Sequence, residues 1–471
     1  MGLRCSGTLA VNSLTNFMPT SSTLLIRNAT ILASMDSQSR EIANGGMLIR
    51  DGWIEKVDTT AKLAAEADTI VDLSGYLVMP GFVNTHHHLY QTFDRACAAC
   101  QNAALVNWLS GLYPRWVSLM PEDIALATEI GLIELALSGC TTAADHHYIW
   151  PNGATADNQF EIARRVGVRF HLGRGFQNIG VGNGGFAPAA LLEKDEDALA
   201  DCARLIGTFH DPSPGAMKQV YIAPGSVRTV TPKLLKEAAE AARTHGVHFH
   251  MHLGETRGEI DYTREKFGKR PAEVAEELGC LSPQSWVAHG VHFDDGDIEI
   301  LARSGCGVCH CPSSNMRLGS GIAPIQHYLE RGLTIGLGVD GSASNDSSNL
   351  LVEIRTALLL SRVNAAADRS FLDARTILAA ATIGGAKLLG RRDIGRLEPG
   401  YCADFIAFRL DRIELLATED PVAAIALCAL TRVDYSWVHG RQIVKDGELV
   451  GVDQSALAER CRQRKTSHSA T

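Results

Sequence analysis

The sequence predicts a (β/α)8 barrel with a small β-sandwich built from both chain ends, and three observations carry that expectation. First, residues 81–390 alternate short apolar, β-branched runs with helical stretches, and about 300 residues of such units suit a closed barrel better than a small open sheet. Second, residues 23–80 and 391–452 read instead as strands and turns, so the two ends are expected to meet in one β unit. Third, polar side chains stand at the ends of apolar runs in the middle portion. In a parallel barrel those ends open on one face, where functional groups gather.

The N-terminal strands are expected in Leu24–Leu32, Gly46–Ile54 and Thr69–Leu73, and the C-terminal ones in Ala403–Phe408, Tyr435–Gly440 and Gln442–Gly447. One barrel unit is especially legible. Thr231 is placed to cap a helix, Pro232 suits its first turn and Gly246 the position after its end. That helix, Lys233–His245, feeds a strand, Val247–Leu253. Val247, Phe249, Met251 and Leu253 share one face of it, and His248, His250 and His252 the other. Residues 1–22 lack a clean apolar stretch and read as a disordered extension rather than a signal peptide. Residues 453–471 read as a C-terminal tail.

Composition narrows the class. The formal net charge of −9 argues against nucleic acid or an anionic membrane surface as partner, since both select basic patches. No run of 18 or more apolar residues predicts a transmembrane helix. Twelve irregularly spaced cysteines point to reduced thiols in a cytoplasmic enzyme. Cys97–Cys100 (C-x-x-C) and the pair Cys309 and Cys311 lack the context of a redox or zinc motif and read as packing residues. Gly180–Gly185 matches G-x-G-x-x-G without the strand-to-helix setting of a dinucleotide site, so it reads as a loop bordering the site.

Four run ends carry the chemistry. Pro80-Gly-Phe-Val-Asn-Thr-His-His-His88, read as extended chain, puts His86 and His88 on one face and His87 on the other. His252-Leu-Gly-Glu255 supplies a third imidazole and a carboxylate. Trp286-Val-Ala-His289 ends in a lone histidine, and Thr334-Ile-Gly-Leu-Gly-Val-Asp340 in an aspartate. A mononuclear hydrolytic centre needs three or four N/O ligands and a position for water. His86, His88, His252 and Asp340 supply such a set for one divalent ion. Asp340 is also placed to accept a proton from that water, Glu255 to protonate a substrate ring nitrogen, and His289 to hydrogen-bond the tetrahedral centre. His248 and His250 lie deeper and are expected to support ligands rather than bind metal.

Pro-Gly-x-x-Asn-x-His-x-His, then His-x-x-Glu, a lone His and Gly-x-Asp, in this order, resemble the amidohydrolase superfamily in its aromatic-heterocycle deaminase branch. The resemblance spans about residues 24–450. It is carried further by Asn84–Gln91, Gly139–His147, His310–Asn315 and Gly338–Asn345. It implies one zinc ion, with iron(II) as the alternative, a small heterocyclic substrate, hydrolytic loss of ammonia or an amine, and a homodimer. An oxo-purine such as 8-oxoguanine is the leading substrate; an alkylamino-triazine of the hydroxyatrazine type or a pterin is the alternative. A non-catalytic barrel scaffold is the rival from another class. The resemblance also places Gln91 at a purine-contacting position. Arg174 and Asn345 are further candidates for substrate binding. Guanine deaminases carry Pro-Arg at the fourth strand end, where this chain has Pro224-Gly225, with Arg228 three residues later. No lysine is present in Val220–Ser226 to bridge two metals, which favours a single ion.

Overall fold

Eight parallel strands close the barrel in the computed structural model, which describes residues 22–64, 66–363 and 371–469. They are β1 (Phe82–Asn84), β2 (Cys140–His147), β3 (Arg169–Arg174), β4 (Lys218–Ile222), β5 (Phe249–Leu253), β6 (Ser285–His289), β7 (Gly307–His310) and β8 (Ile335–Leu337). β8 closes onto β1 where Leu337 pairs with Asn84. The alternation read in β5 is present: Val247, Phe249, Met251 and Leu253 are buried towards the helices, and His250 points into the barrel against His86, just past the end of β1.

Helices surround this barrel, among them α1 (Leu105–Val117), α2 (Pro121–Leu137), α3 (Pro232–His245) and α4 (Arg257–Phe267). Thr231 and Gly246 flank α3, and Gly246 takes the left-handed conformation (φ 67°) that ends helices cheaply only when no Cβ is present. Thr231 does not cap α3 with its hydroxyl. It is bonded instead to Asn178, whose side chain meets both the Thr231 N–H (2.9 Å) and Oγ1 (3.0 Å).

The strands of both chain ends join in one nine-stranded sheet with its own apolar core of Ile26, Leu32, Met47, Val78, Phe405 and Trp437 among others. The N- and C-terminal parts meet where Tyr76–Pro80 pairs antiparallel with Phe405–Arg409. One expected strand needs correction. Residues 46–54 are not a single run but cross a hairpin turn between Glu41–Arg50 and Trp53–Thr59. Asp51 and Gly52 both take positive φ (51° and 81°), as a two-residue Asp-Gly turn requires. Most of the expected C-terminal tail is a helix, α5 (Gln454–Ser469). Arg460 bonds Glu129 at 2.8 Å and Arg464 bonds Asp123 at 2.6 Å, docking α5 on α2. The extension expected over residues 1–22 lies, but for Ser22, outside the described residues.

Sheet and barrel are fastened by a buried ion pair. Arg169 on β3 donates to Asp404 at 2.7 and 3.1 Å, and both residues are buried. Asp404 also accepts from the His439 backbone N–H at 2.7 Å, so the pair spans three segments of the chain.

Candidate metal centre and cavity

β1 ends at Asn84, but the chain runs on extended through His88 because its neighbours hold it. Thr85 N–H and Oγ1 both donate to Leu337 O, Asp340 N–H donates to His86 O, and His146 N–H donates to His87 O. Asn84 reaches across the barrel seam, accepting from Val339 N–H at 2.9 Å. This brace gives the asparagine of the sequence motif a physical reason: it ties the histidine segment to the one carrying Asp340. Alternation then sends His86 and His88 inward, and His87 outward to Ser348 Oγ at 2.9 Å.

The four expected ligands converge. Asp340 Oδ1 lies 3.3 Å from His86 Nε2 and 3.2 Å from His88 Nε2, and His88 Nε2 lies 3.1 Å from His252 Nε2. The opposite ring nitrogens are engaged elsewhere. His88 Nδ1 donates to His146 O (2.6 Å) and His252 Nδ1 to Gly225 O (2.8 Å), which fixes both tautomers with Nε2 lone pairs facing the cluster. His86 Nδ1 meets His250 Nε2 at 2.8 Å, and His250 in turn holds Trp286 O at 2.9 Å, so His250 supports rather than joins the cluster. His86 Nε2 is buried and has no aligned hydrogen-bond partner. Burial holds His86 and His252 well below the usual imidazole range, which keeps them in the neutral form a metal takes. For Asp340, burial acts upward, but the contacts with His86 and His88 outweigh it and hold the carboxyl well below the usual range. These features fit one divalent cation.

Two residues of the site sit at strained backbone. His289 has φ 79° and Asp340 φ 60°, a region that non-glycine residues rarely occupy and that clusters at functional sites. His289 Nδ1 is held by Asn315 Oδ1 at 2.9 Å, leaving Nε2 3.9 Å from Asp340 Oδ2. Glu255 lies on the same cavity floor. Its carboxyl borders the cavity but is otherwise enclosed by protein, and burial, with Asp340 nearby adding to it, raises its pKa above the usual range.

The floor opens into a cavity of about 430 Å³, within the range of small-molecule sites. Trp108, Leu109, Tyr148, Phe186 and Leu318 supply flat apolar walls, and Gln91, Gln177 and Arg228 supply polar groups. Gln91 is packed so closely against Gly341 that a Cβ there would collide with its Oε1. The loop 180–185 borders this mouth through Gly184 O, which accepts from Arg228 Nε at 3.3 Å.

Two expected substrate contacts are corrected. Arg174 does not line the cavity. Its guanidinium is bound to Glu193 (2.5 Å) and Asp201 (2.7 Å) and packs 4.5 Å from the Trp150 ring centroid, a structural role. Asn345 is also outside the cavity lining. Its Nδ2 donates to Val339 O (2.6 Å) and Glu353 Oε1 (2.7 Å), which pins the turn after Asp340. The cysteines expected to be packing residues are free thiols; Cys100, Cys309 and Cys311 are buried and Cys97 half-buried.

Other residues at the site were not legible beforehand. His146 comes within ligand distance of His86, His88 and His252, with its ring stacked on His252 at 4.7 Å. Its Nε2 is spent on Ala223 O at 2.7 Å. Its place at the end of the apolar run of β2 was the available signal. Tyr148, Gln177 and Glu259 lie on loops or helix starts, where no periodicity marks a side chain as facing a cavity.

A closed (β/α)8 barrel with a histidine–aspartate cluster at the C-terminal ends of its strands defines a metal-dependent hydrolase of the barrel class. The chain belongs to the amidohydrolase family, whose profile matches residues 77–447. It is 44% identical to 8-oxoguanine deaminase of Pseudomonas aeruginosa over 89% of this chain and 94% of that one. It is 38% identical to hydroxydechloroatrazine ethylaminohydrolase of a Pseudomonas species, over 88% and 90%. Among solved structures, the zinc complex of atrazine chlorohydrolase from Arthrobacter aurescens superposes with a TM-score of 0.89 at 30% identity, covering 93% of this chain and 98% of the other.

Proposed function

We propose that this chain is a metal-dependent aminohydrolase that removes the amino group of an oxo-substituted N-heterocycle, with 8-oxoguanine the leading substrate and ammonia the leaving group. The observation that carries the reading is the gathering of His86, His88, His252 and Asp340 at the foot of a cavity bearing Glu255, with Asp340 Oδ1 3.3 and 3.2 Å from the Nε2 atoms of His86 and His88, and His88 Nε2 3.1 Å from His252 Nε2. The 44% identity to an 8-oxoguanine deaminase supports the choice of ring. A scaffold without chemistry has no use for a protonatable carboxyl beside a strained aspartate. We read the protein as cytosolic, in keeping with its free thiols.

His86, His88, His252 and Asp340 would hold the ion, zinc first and iron(II) second. When bound, a divalent ion brings the pKa of a water molecule towards neutrality. Asp340, held as a carboxylate, takes the proton of the attacking water through Oδ2, the oxygen facing His289. Glu255, whose pKa burial raises, gives its proton to the ring nitrogen as the new C–O bond forms at the amino-bearing carbon. His289, anchored through Nδ1 by Asn315, presents Nε2 to the tetrahedral centre. The proton collected by Asp340 passes to the amino group, the C–N bond breaks and ammonia leaves, while the hydroxyl on the same carbon becomes the carbonyl and its proton returns to Glu255.

A panel of 8-oxoguanine, guanine, isoxanthopterin and hydroxyatrazine, assayed for ammonia and ethylamine with metal-loaded protein, tests this. Ammonia release fastest from 8-oxoguanine is expected. Faster ethylamine release from hydroxyatrazine would move the assignment to the triazines, and an inert metal-loaded protein would remove it.

A further inference from the structure

The cavity holds two buried primary amides, and each has one half without a partner. Gln91 gives Nε2 to Tyr90 Oη at 3.3 Å and leaves Oε1 unpaired. Gln177 is its opposite: Oε1 accepts from the Tyr113 hydroxyl at 3.2 Å, and Nε2 is unpaired. Both side chains are 1% exposed, and both line the cavity.

Tyr113 decides which way Gln177 points. The phenol stands on α1, 4% exposed, and burial raises its pKa far enough that it keeps its proton. A buried hydroxyl proton needs an acceptor, and among the described residues the one Tyr113 meets is Gln177 Oε1. Turning the amide over would leave that proton unpaired. The backbone of Gln177 is fixed as well: its carbonyl accepts from Glu193 N–H at 3.0 Å, and Glu193 is clamped by Arg174. A rigid, buried N–H donor therefore stands in the cavity wall, a costly arrangement unless a ligand completes it.

We propose that Gln177 is a specificity-determining residue whose Nε2 donates a hydrogen bond to a carbonyl oxygen of the bound heterocycle, with Tyr113 as its positioning residue. Gln91 Oε1, of opposite polarity, takes a ring N–H. Together the two amides select rings that offer both an oxo acceptor and an N–H donor, the pattern of a lactam or cyclic urea, and reject rings with neither. This rests on the aminohydrolase reading above and deepens it.

The test uses Gln177→Leu and Tyr113→Phe in the full-length, metal-loaded protein, with two independent readouts: steady-state kinetics on 8-oxoguanine, and calorimetric binding of urate, the trioxopurine that 8-oxoguanine becomes on losing ammonia. For Gln177→Leu, KM and the urate Kd are expected to rise about 10- to 100-fold, with kcat within about threefold. The melting temperature should change little, because losing the unpaired Nε2 offsets leaving the Tyr113 hydroxyl without its acceptor. Tyr113→Phe should show a weaker shift in the same direction. KM and Kd within twofold of the parent would overturn the proposal. So would a kcat and melting temperature that fall together while KM holds, which would mark a structural amide. A parent protein inert on 8-oxoguanine but binding urate through Gln177 would sink the turnover reading and leave this inference standing. A parent that neither turns over 8-oxoguanine nor binds urate would sink both.

Discussion

Glu255 and Asp340 are two carboxyls on one cavity floor whose pKa values are pushed in opposite directions, and that asymmetry is what acid–base chemistry at a single carbon requires. His86 and His88 hold Asp340 well below the usual carboxylate range, while burial, with the Asp340 charge adding to it, pushes Glu255 above that range. Glu255→Gln should therefore lower kcat by about 10²- to 10⁴-fold, the range of a lost general acid, while metal content stays at the parent level. The sign of the pH dependence follows. In the proposed mechanism Glu255 acts when protonated, and its pKa is raised, so kcat/KM should fall on the alkaline side as this proton is lost. It should persist at pH values where an ordinary glutamate is already ionised. A rate that instead rose through that range would assign the acid elsewhere. The charged members of this site were legible because each ends an apolar run, where a polar side chain has no packing reason to be. Arg174 and Asn345 were misread for the complementary reason. Their partners Glu193, Asp201 and Glu353 are brought to them only by the fold, and nothing in the spacing announces those contacts.

At the scale of the element, α4 starts directly behind Glu255 and holds it in place. Thr256 Oγ1 accepts from Glu259 N–H at 3.3 Å, and Glu259 Oε2 accepts from Glu255 N–H at 3.0 Å. Thr256→Ala should cost about 1 kcal/mol of stability, the usual value of an N-cap, measured by denaturant midpoint. Glu259 adds a pH signature. Burial raises its pKa from 4.5 to about 8, so the folded state binds the proton more tightly than the unfolded chain. Its contribution is present in full below about pH 4.5 and is lost progressively as pH rises through 8. Glu259→Gln keeps an acceptor for Glu255 N–H and removes the titration, so its melting temperature should decline less between pH 5 and 8 than that of the parent; an unchanged slope would contradict the buried acid. Helix starts of this kind were partly legible: the cap residues are in the sequence, but which cavity α4 faces is not. The hairpin at Asp51-Gly52 was readable in principle. The apolar run on either side hid it, because a strand and a strand with a tight turn share the same composition.

At the scale of the whole molecule, the barrel and the sheet of the two chain ends are joined by Arg169 and Asp404, two charges that are individually costly to bury and stable only together. Asp404→Ala leaves Arg169 charged and unpaired in the interior. It should destabilise the protein by about 3–5 kcal/mol, read as a lower denaturant midpoint, with barrel and sheet unfolding together. A loss below about 1 kcal/mol would mean that water reaches the arginine. The barrel class was legible from the alternation of strand and helix and from the shared face of the polar run ends. The order of the nine-stranded sheet was not, because it depends on pairings between residues more than 300 positions apart, such as Phe405 with Pro80. The docking of α5 on α2 was equally hidden, since it rests on surface arginines meeting acids of a distant helix.

The account turns on three segments of chain holding one cation between His86, His88, His252 and Asp340. Metal stoichiometry by elemental analysis, after reconstitution with zinc or iron(II) and exhaustive washing, tests it most directly. One ion per chain in the parent protein, lost in His252→Ala, is the predicted result. A parent protein that retains no ion, or a His252→Ala variant that retains it in full, would contradict the account.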